Sequence, residues 1–586
     1  MSTTSYDASP TVRISDDRAT VAVGWPEAAA VLASRARSAR RCVLAVECYP
    51  GVHVDEIEAA LTDALNLTAV VRTERALRPR DELEPLLEPY IGGDPVFGFL
   101  CPWQLHDFFA PRLVERLRDD VAGAPLGLVL VLGPGAAHVI GQPDVLIYAD
   151  VTRWEIQQRQ RRHEIGNLGA ENHAAPSGEL YKRAYFVDWR VADQHRNAVF
   201  DRVDYYLDTN IPGSPRLVGG DLYRRALELT ARRPFRLVPF FDPGPWGGEW
   251  MRRTFGLPDD APNYAWCFDC VPEENSLLFD FGGTRVQSPA LPLVHRHPLE
   301  VLGRDVYATF GAEFPIRFDM LDTMEGGNLS LQVHPLCDYI RETFGMRYTQ
   351  DESYYLLDAR PGAQVYLGLR AGVDRAHLSA ALRAADTEGT FAADRFVAAW
   401  PARKHDHFSI PAGTIHCSGR DNLVLEISAT PYIFTFKLWD WGRLGLDGLP
   451  RPTHLEHGLA NIQWDRTNDW VAGNLVDRVR PIAAGAGWRE ESTGLHPFEF
   501  IETRRHWFTS AVEHDTAGTL NVLNLVEGAA AVVESPDDAF EPMLVHYAET
   551  FVVPAAVGAY RVRPHGPVPL SPLATIKAYV RSAPGA

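Results

Sequence analysis

Short apolar runs separated by glycine and proline turns fill the chain from about residue 234 onward. Runs such as 364–369 and 423–427 have the length and apolar content of strands with at least one buried face. Further short strands are predicted between residues 490 and 586. Many short strands joined by such turns close into barrels or sandwiches, so this feature restricts more than half of the chain to a β-rich architecture.

Before residue 211, strands alternate with helices. Apolar runs at 42–46, 126–132 and 145–148 indicate buried strands, and helical patterns follow the first and the last of them. Such alternation predicts a parallel sheet, so we expect a mixed fold with an α/β domain at residues 38–210. Residues 1–37 are expected to form an N-terminal extension that is partly disordered.

The order of strand, glycine turn and helix after residue 42 resembles the phosphate-loop domain of nucleoside kinases. The motif itself is absent, since the positions that need Gly, Gly, Lys and Ser/Thr hold Glu47, Val52, His53 and Val54. A phosphate cradle needs accessible backbone N–H groups and a lysine charge, and Glu47 would repel phosphate. We therefore expect a degenerate kinase-like domain that acts as a scaffold or a regulatory domain.

Charge and composition restrict the partners. The net charge of −19 argues against nucleic acid or an anionic membrane. No uncharged run is long enough to span a bilayer, and the first forty residues contain no apolar stretch of the signal-peptide type. The seven cysteines lack the close pairing of a disulfide framework. These features predict a cytoplasmic protein without nucleic-acid or membrane partners, and they leave the oligomeric state open.

The strongest chemical signal is the segment Asn328-Leu-Ser-Leu-Gln332-Val-His334-Pro335. On a strand, residues two apart project to the same face, so Gln332 and His334 can both point into a barrel. Glu352 begins an apolar run further on, and His416 follows a Pro/Gly turn. Two imidazoles, one carboxylate and one amide oxygen form a ligand set for zinc, and iron or manganese would suit the same ligands.

Several motifs from Pro234 to the C-terminus resemble those of class I mannose-6-phosphate isomerases. The matching segments are Trp246-Gly247-Gly248, Phe314-Pro315, Leu329-Ser330-Leu331-Gln332-Val333-His334-Pro335, Glu352, Pro411-Ala-Gly-Thr-Ile-His416 and Asp440-Trp-Gly-Arg443. The resemblance covers about three-fifths of the chain, and all four metal positions of the family match.

This resemblance implies a double cupin barrel with a helical insert. The metal-binding cupin domain would comprise residues 211–372 and 401–489, the insert residues 373–400, and a second cupin-like domain residues 490–586. The resemblance also implies one zinc ion per chain, held by Gln332, His334, Glu352 and His416. The implied reaction interconverts mannose 6-phosphate and fructose 6-phosphate through a cis-enediol.

The sequence departs from the family at positions that the resemblance assigns to phosphate binding and proton transfer. Two positions that usually hold lysine carry Asp319 and Gln350, and a usual arginine is replaced by Lys437, whereas Arg443 is retained. The resemblance makes Arg443 and Lys437 the expected catalytic cations, and Ser330, Asp319 and Gln350 the expected substrate-binding residues.

The lost cations matter for a phosphorylated substrate. Each charge-assisted contact to phosphate contributes roughly 1.5–3 kcal/mol, so losing two weakens binding unless other cations replace them. Arg317, Arg403 and Lys404 are the candidate replacements. Two alternatives to mannose 6-phosphate isomerisation therefore stay open. One is an isomerase or epimerase of an unphosphorylated or different sugar, and the other is a non-catalytic regulatory protein that binds metal and sugar.

Overall fold

The structure is a computed structural model that describes residues 5–15, 20–36, 40–429, 434–494, 496–566 and 571–581. The chain divides into two compact units. The α/β unit comprises Thr11–Leu229 and Ser276–Arg296, and the β-rich unit comprises Met1–Pro10, Thr230–Asn275 and His297–Ala586. Within the described ranges, no helix is both long enough and apolar enough to cross a membrane.

Up to residue 230, the strands are β1 (Val12–Arg13), β2 (Val21–Val23), β3 (Arg41–Cys48), β4 (Leu67–Arg72), β5 (Gly127–Gly133), β6 (Val145–Asp150), β7 (Tyr205–Asp208) and β8 (Arg216–Gly219). The helices of this part are α1 (Gly24–Ala36), α2 (Val54–Ala64), α3 (Arg80–Ile91), α4 (Pro111–Gly123), α5 (Ala136–Ile140), α6 (Arg153–Arg161), α7 (Ser177–Arg183), α8 (Trp189–Val199) and α9 (Gly220–Thr230).

From residue 231 to 372, the strands are β9 (Phe240–Asp242), β10 (Trp266–Cys270), β11 (Ser276–Phe281), β12 (Thr284–Pro289), β13 (Arg317–Asp322), β14 (Leu331–Val333), β15 (Glu352–Ala359) and β16 (Gln364–Leu369). The helices of this part are α10 (Trp250–Phe255), α11 (Leu291–Arg296), α12 (Pro298–Leu302), α13 (Arg304–Phe310) and α14 (Cys337–Phe344).

From residue 373 to 489, the helices are α15 (Arg375–Glu388), α16 (Ala393–Phe396), α17 (Leu455–Asn461) and α18 (Asn468–Asn474). The strands that begin there are β17 (Val397–Pro401), β18 (His407–Ile410), β19 (His416–Ser418), β20 (Asn422–Ser428), β21 (Phe436–Trp439), β22 (Arg480–Gly485) and β23 (Trp488–Ser492). The remaining strands are β24 (Ile501–Phe508), β25 (Val512–Asp515), β26 (Asn521–Glu527), β27 (Ala530–Glu534), β28 (Met543–His546), β29 (Thr550–Val553), β30 (Ala559–Pro564) and β31 (Leu573–Val580).

The α/β unit is built on a seven-stranded sheet in the order β2-β8-β7-β6-β3-β5-β4. Strands β7, β6, β3, β5 and β4 run parallel, while β8 is antiparallel to β7 and β2 is antiparallel to β8. The central strands are almost wholly buried, as their unbroken apolar runs predict for a parallel sheet. The strands predicted at 42–46, 126–132 and 145–148 are confirmed as β3, β5 and β6.

The α/β unit also includes two stretches that the sequence did not predict for it. Strand β2 and helix α1 lie within the expected extension 1–37, and their short apolar segments gave no clear pattern. The hairpin of β11 and β12 packs with β1 in a three-stranded sheet, because β1 pairs in parallel with β11. Such a pairing between residues far apart in sequence leaves no local signal.

Glu47 has an internal role in this unit. Its buried carboxylate accepts hydrogen bonds from the backbone N–H groups of Gly135 (2.6 Å) and Ala137 (2.8 Å). His195 Nε2 lies 3.0 Å from the same carboxylate. The negative charge that would repel phosphate is therefore satisfied by groups of the unit itself.

The β-rich unit contains a first pair of antiparallel sheets. One has the order β18-β15-β20-β13-β10-β9 and the other the order β17-β16-β19-β14-β21. The predicted strands at 364–369 and 423–427 are confirmed as β16 and part of β20. Helix α15 connects the paired strands β16 and β17, and it buries Leu378, Leu382 and Ala385 as its helical spacing predicts.

A second pair of antiparallel sheets follows within the same unit. Their orders are β22-β23-β24-β31-β26-β29 and β25-β30-β27-β28. A cluster of buried side chains from both sheets, including Phe508, Leu523, Val533 and Tyr560, forms the core of this part. The short strands predicted for residues 490–586 thus form a two-sheet arrangement of their own.

Candidate metal centre

Four polar side chains meet between the first pair of sheets. Gln332 lies on β14, directly opposite His416 on β19, and His334 follows the end of β14. Glu352 is the first residue of β15 in the facing sheet. All four side chains are buried, with exposed fractions between 0% and 6%. Both sheets therefore contribute to one buried polar site.

The imidazoles of this site are directed at the carboxylate. His334 Nε2 lies 3.1 Å from Glu352 Oε2, and His416 Nε2 lies 2.7 Å from Glu352 Oε1. The candidate ligand atoms of these three residues all lie within 4.8 Å of one another. The Gln332 amide lies 3.2 Å from His416 Nε2, and turning this amide by 180° would present its oxygen to the same point.

The other ring nitrogen of each histidine is bound to the backbone. His334 Nδ1 lies 2.8 Å from the Phe434 carbonyl oxygen, and His416 Nδ1 lies 2.8 Å from the Thr414 carbonyl oxygen. A proton on Nδ1 leaves the lone pair of Nε2 free for a metal, and such contacts fix metal-binding histidines in place. The residues present thus fit one divalent ion.

The electrostatics of the site agree with this assignment. Burial would raise the pKa of Glu352, but the two imidazoles hold it well below its usual range. Burial would lower the pKa of His334, but the Glu352 carboxylate raises it. A buried carboxylate that stays ionised beside two imidazoles can bind a divalent cation, which replaces the proton shared between these groups.

The turn before His416 is held by a residue that the sequence did not single out. Buried Arg466 donates hydrogen bonds through Nη1 to the carbonyl oxygens of Pro411 (2.8 Å) and Ala412 (2.6 Å) and to Thr414 Oγ1 (2.5 Å). Gly413 of this turn has a φ of 84°, a conformation that favours glycine. The Pro-Ala-Gly-Thr segment therefore positions His416 through backbone geometry.

One side of the metal centre is acidic. The Gln350 amide donates to Glu352 (2.9 Å) and to Glu426 (3.3 Å), and the Arg317 guanidinium lies 3.4 Å from Asp319 and 4.0 Å from Glu426. Burial, together with Asp319 and Glu352, raises the pKa of Glu426 well above its usual range. Gln350 and Asp319 therefore lie beside the metal centre, and Arg317 is bound to the carboxylates there.

Glu426 is a site residue that the sequence interpretation missed. It lies opposite Asp319 in the pairing of β13 with β20 and opposite Tyr354 in the pairing of β15 with β20. The sequence does contain a signal for it, because Glu426 is a charged residue within the apolar run 423–427. A buried charge in a strand usually has a specific partner.

A cation cluster, defined here as Lys437, Arg443 and Arg451, lies beside the strand that carries Gln332. Lys437 lies directly across from Gln332 in the pairing of β14 with β21. Asp440 accepts hydrogen bonds from Arg443 (2.6 Å), Arg451 (2.6 Å) and Ser330 Oγ (2.9 Å). Ser330 and Arg443 thus meet at one carboxylate, and Arg451 joins them there without having been predicted.

The charges in this cluster affect one another. Burial, the neighbouring Arg451 and Arg443 lower the pKa of Lys437 to about 8, although Asp440 opposes the shift. Burial would raise the pKa of Asp440, but Arg451 and Arg443 hold it below its usual range. The cluster is therefore positively charged at neutral pH, with one carboxylate at its centre.

Of the other two candidate replacement cations, Arg403 is exposed and Lys404 contacts protein groups. Its Nζ lies 2.5 Å from Glu527, and it sits over the ring of Tyr547. His405 Nε2 lies 3.0 Å from the same carboxylate, and His405 Nδ1 lies 2.9 Å from the Tyr355 hydroxyl. These residues link the first pair of sheets to the second pair, and their contacts are with protein groups.

Known proteins resemble different parts of this chain. Residues 24–232 match a family described as a domain of unknown function, DUF8485. The probable mannose-6-phosphate isomerase GmuF of Bacillus subtilis is 26% identical over 231 residues, which cover 39% of this chain and 68% of that protein. The mannose-6-phosphate isomerase of Streptococcus mutans serotype c is 26% identical over 216 residues, which cover 36% of this chain and 63% of that protein.

A solved structure is also similar. The crystal structure of the mannose 6-phosphate isomerase from Bacillus subtilis shares 17% identity and covers 59% of this chain and 100% of its own, with a TM-score of 0.48. The chain thus spans about two-thirds of the length of the curated relatives named here. It is similar to mannose-6-phosphate isomerases over part of its own length.

Proposed function

We propose that the β-rich unit is a zinc-dependent aldose–ketose isomerase that converts mannose 6-phosphate into fructose 6-phosphate. The observation that carries this proposal is the convergence of Gln332, His334, Glu352 and His416, with both imidazole Nε2 atoms directed at one carboxylate. The similarity to relatives named mannose-6-phosphate isomerases supports the same reaction.

These four residues would hold the metal. When bound, zinc supplies a Lewis acid that polarises sugar oxygens and favours the negative charge that develops on them. Gln350 donates a hydrogen bond to Glu352 and thereby orients this ligand. The Nδ1 contacts of the two histidines act in the same way.

The remaining residues act on the sugar. The reaction moves a proton between C1 and C2 and places negative charge on the two adjacent oxygens. We assign the stabilisation of that charge to Lys437, which faces the same side as Gln332, and to Arg443, which Asp440 orients. Ser330 lies within reach of the same group of cations, and we assign Asp319 and Gln350, on the acidic side of the metal centre, to contacts with the sugar.

The test is an NMR assay on purified protein of known metal content. Mannose 6-phosphate, fructose 6-phosphate, mannose and fructose are offered in parallel to wild-type protein and to His334→Ala. Because His334 supplies one of two imidazole ligands, we expect the variant to lose zinc and at least 1,000-fold in activity, on the order of a lost catalytic group.

His163→Ala serves as the matched control, because this exposed histidine lies in the α/β unit. It should retain both zinc and activity. A zinc-loaded wild-type protein that converts none of the four sugars would contradict the proposal. It would favour the alternative of a non-catalytic regulatory protein that binds metal and sugar.

An isomerase of an unphosphorylated sugar is the second candidate. The observation that favours it is the acidic side of the metal centre, where Asp319 stands at a position that usually carries lysine in the family and, with Glu426, binds Arg317. Turnover of free mannose or fructose with no turnover of the phosphates would select this candidate.

A further inference from the structure

Two cations of the cation cluster, Arg443 and Arg451, donate to one carboxylate, Asp440, and the third cation, Lys437, lies near enough for its pKa to respond to all three. Counting Lys437, Arg443 and Arg451 against Asp440 leaves an excess of two positive charges. Within the part of the chain that the structure describes, the Lys437 ammonium group has no hydrogen-bond partner. Partly buried like charges repel one another, and an anion bound among them relieves that repulsion.

The two arginines of the cluster differ in how many donors they have left. Arg443 uses Nε and Nη2 for Asp440 and Nη1 for the Asn328 carbonyl oxygen. Arg451 engages only Nη1, which donates to Ser330 Oγ (3.1 Å) and to Asp440 (2.6 Å), as far as the described residues show. A guanidinium has five N–H donors in a rigid fork, so Arg451 keeps donors for a bidentate contact whereas Arg443 is mostly occupied.

The acidic side of the metal centre offers no equivalent place for an anion. Arg317 is bound there between Asp319 and Glu426, and Glu352 lies next to them. Because Arg317 is already paired there, the carboxylates on that side disfavour a second anion. The cation cluster is therefore the more favourable place for the anionic end of a substrate whose reacting carbons lie near the metal.

We propose that Arg451 binds the phosphate group of the substrate and determines the preference for a phosphorylated over a free sugar. This inference rests on the proposed isomerase function. Its structural reason is that Ser330 and Asp440 fix the guanidinium beside the strand that carries Gln332, with free donors of the geometry that matches phosphate oxygens.

The test compares Arg451→Gln and Arg451→Lys on zinc-loaded protein. For Arg451→Gln, we expect the KM for mannose 6-phosphate to rise about ten- to hundredfold, the effect of one lost charged contact, with kcat changed less than threefold. Turnover of free mannose should change much less than the KM for mannose 6-phosphate, because a free sugar carries no phosphate for Arg451 to bind. Arg451→Lys should recover part of the loss, because lysine restores the charge without the bidentate geometry.

Arg561→Gln is the matched control, since Arg561 forms an arginine–glutamate pair with Glu513 in the second pair of sheets. Binding of inorganic phosphate, measured by calorimetry on each zinc-loaded protein, gives a readout that does not depend on turnover. If no sugar is converted but Arg451→Gln binds phosphate more weakly than the control, the isomerase function fails while the anion site stands. Equal KM values and equal phosphate affinities in the two variants would overturn the role of Arg451.

Discussion

Arg466 connects the turn that presents His416 to the body of the first pair of sheets. One guanidinium nitrogen binds the carbonyl oxygens of Pro411 and Ala412 and the hydroxyl group of Thr414. It touches no metal ligand, yet the Thr414 carbonyl oxygen is the partner of His416 Nδ1. The orientation of a ligand therefore depends on a residue outside the ligand set.

Replacing Arg466 should weaken metal binding without removing a ligand. We expect Arg466→Gln to lower the affinity for zinc about 10- to 100-fold, the range found when groups that orient metal ligands are lost. Competition with a chromogenic chelator measures this affinity. Exposed Arg383, whose guanidinium pairs with Glu456, supplies the control Arg383→Gln. An unchanged zinc affinity in Arg466→Gln would contradict this prediction and would show that the turn positions His416 without the Arg466 guanidinium.

At the scale of elements, the turn 411–414 joins β18 to β19, and its glycine fixes the direction of the chain. Gly413 has a φ of 84°, and an added Cβ would lie 2.7 Å from the Gln463 side chain and 2.9 Å from the Asn461 carbonyl oxygen. Gly362 has a similar φ of 90°, but within the described residues nothing lies within 4 Å of its added Cβ. Comparing alanine variants at these two positions therefore separates the cost of backbone strain from the cost of steric overlap.

Gly413→Ala should destabilise the β-rich unit more than Gly362→Ala does. Both variants place a side chain in a left-handed conformation, which costs about 1–2 kcal/mol. Gly413→Ala also requires neighbouring atoms to move, so we expect an additional cost of about 1–3 kcal/mol. Urea denaturation followed by tryptophan fluorescence measures the free energy of unfolding. Equal destabilisation of the two variants would mean that the turn relaxes around the new methyl group.

Local patterns allowed the elements with the most regular patterns to be predicted. Buried strands such as β3 and β5 have unbroken apolar runs, and helix α15 has apolar residues at helical spacing. The pairing of β1 with β11 joins residues about 265 positions apart, and nothing in either segment indicates the other. The same limit applies to the contact of Arg451 with Ser330 and to the contacts of Glu426 with Arg317 and Gln350, which join residues far apart in sequence. Motif spacing indicated the four proposed metal ligands, but the charged residues around them could be recognised only once the fold was known.

At the scale of the whole molecule, buried histidines make stability depend on pH. His407 is 1% exposed at the start of β18, and burial together with Arg505 lowers its pKa to about 3. The unfolded chain binds a proton on this histidine below about pH 6.5, whereas the folded chain does not. Stability is therefore lost as the pH falls below that value.

His407→Leu should reduce this acid sensitivity. One pH unit below the unfolded pKa, at about pH 5.5, His407 alone should cost about 1.4 kcal/mol of stability relative to neutral pH. Denaturation of wild type and variant at both pH values measures the difference, with exposed His377→Leu as the control. If His407→Leu and wild type lose the same stability on acidification, the folded protein protonates His407 and the argument is wrong.

The most direct test of the metal-dependent isomerase is a zinc titration of stripped protein. Chelator-treated protein should be inactive on mannose 6-phosphate, and activity should return in proportion to bound zinc up to one ion per chain, because one set of ligands surrounds one point. Activity that survives complete removal of the metal, or a protein that binds one zinc and converts no sugar, would contradict the account.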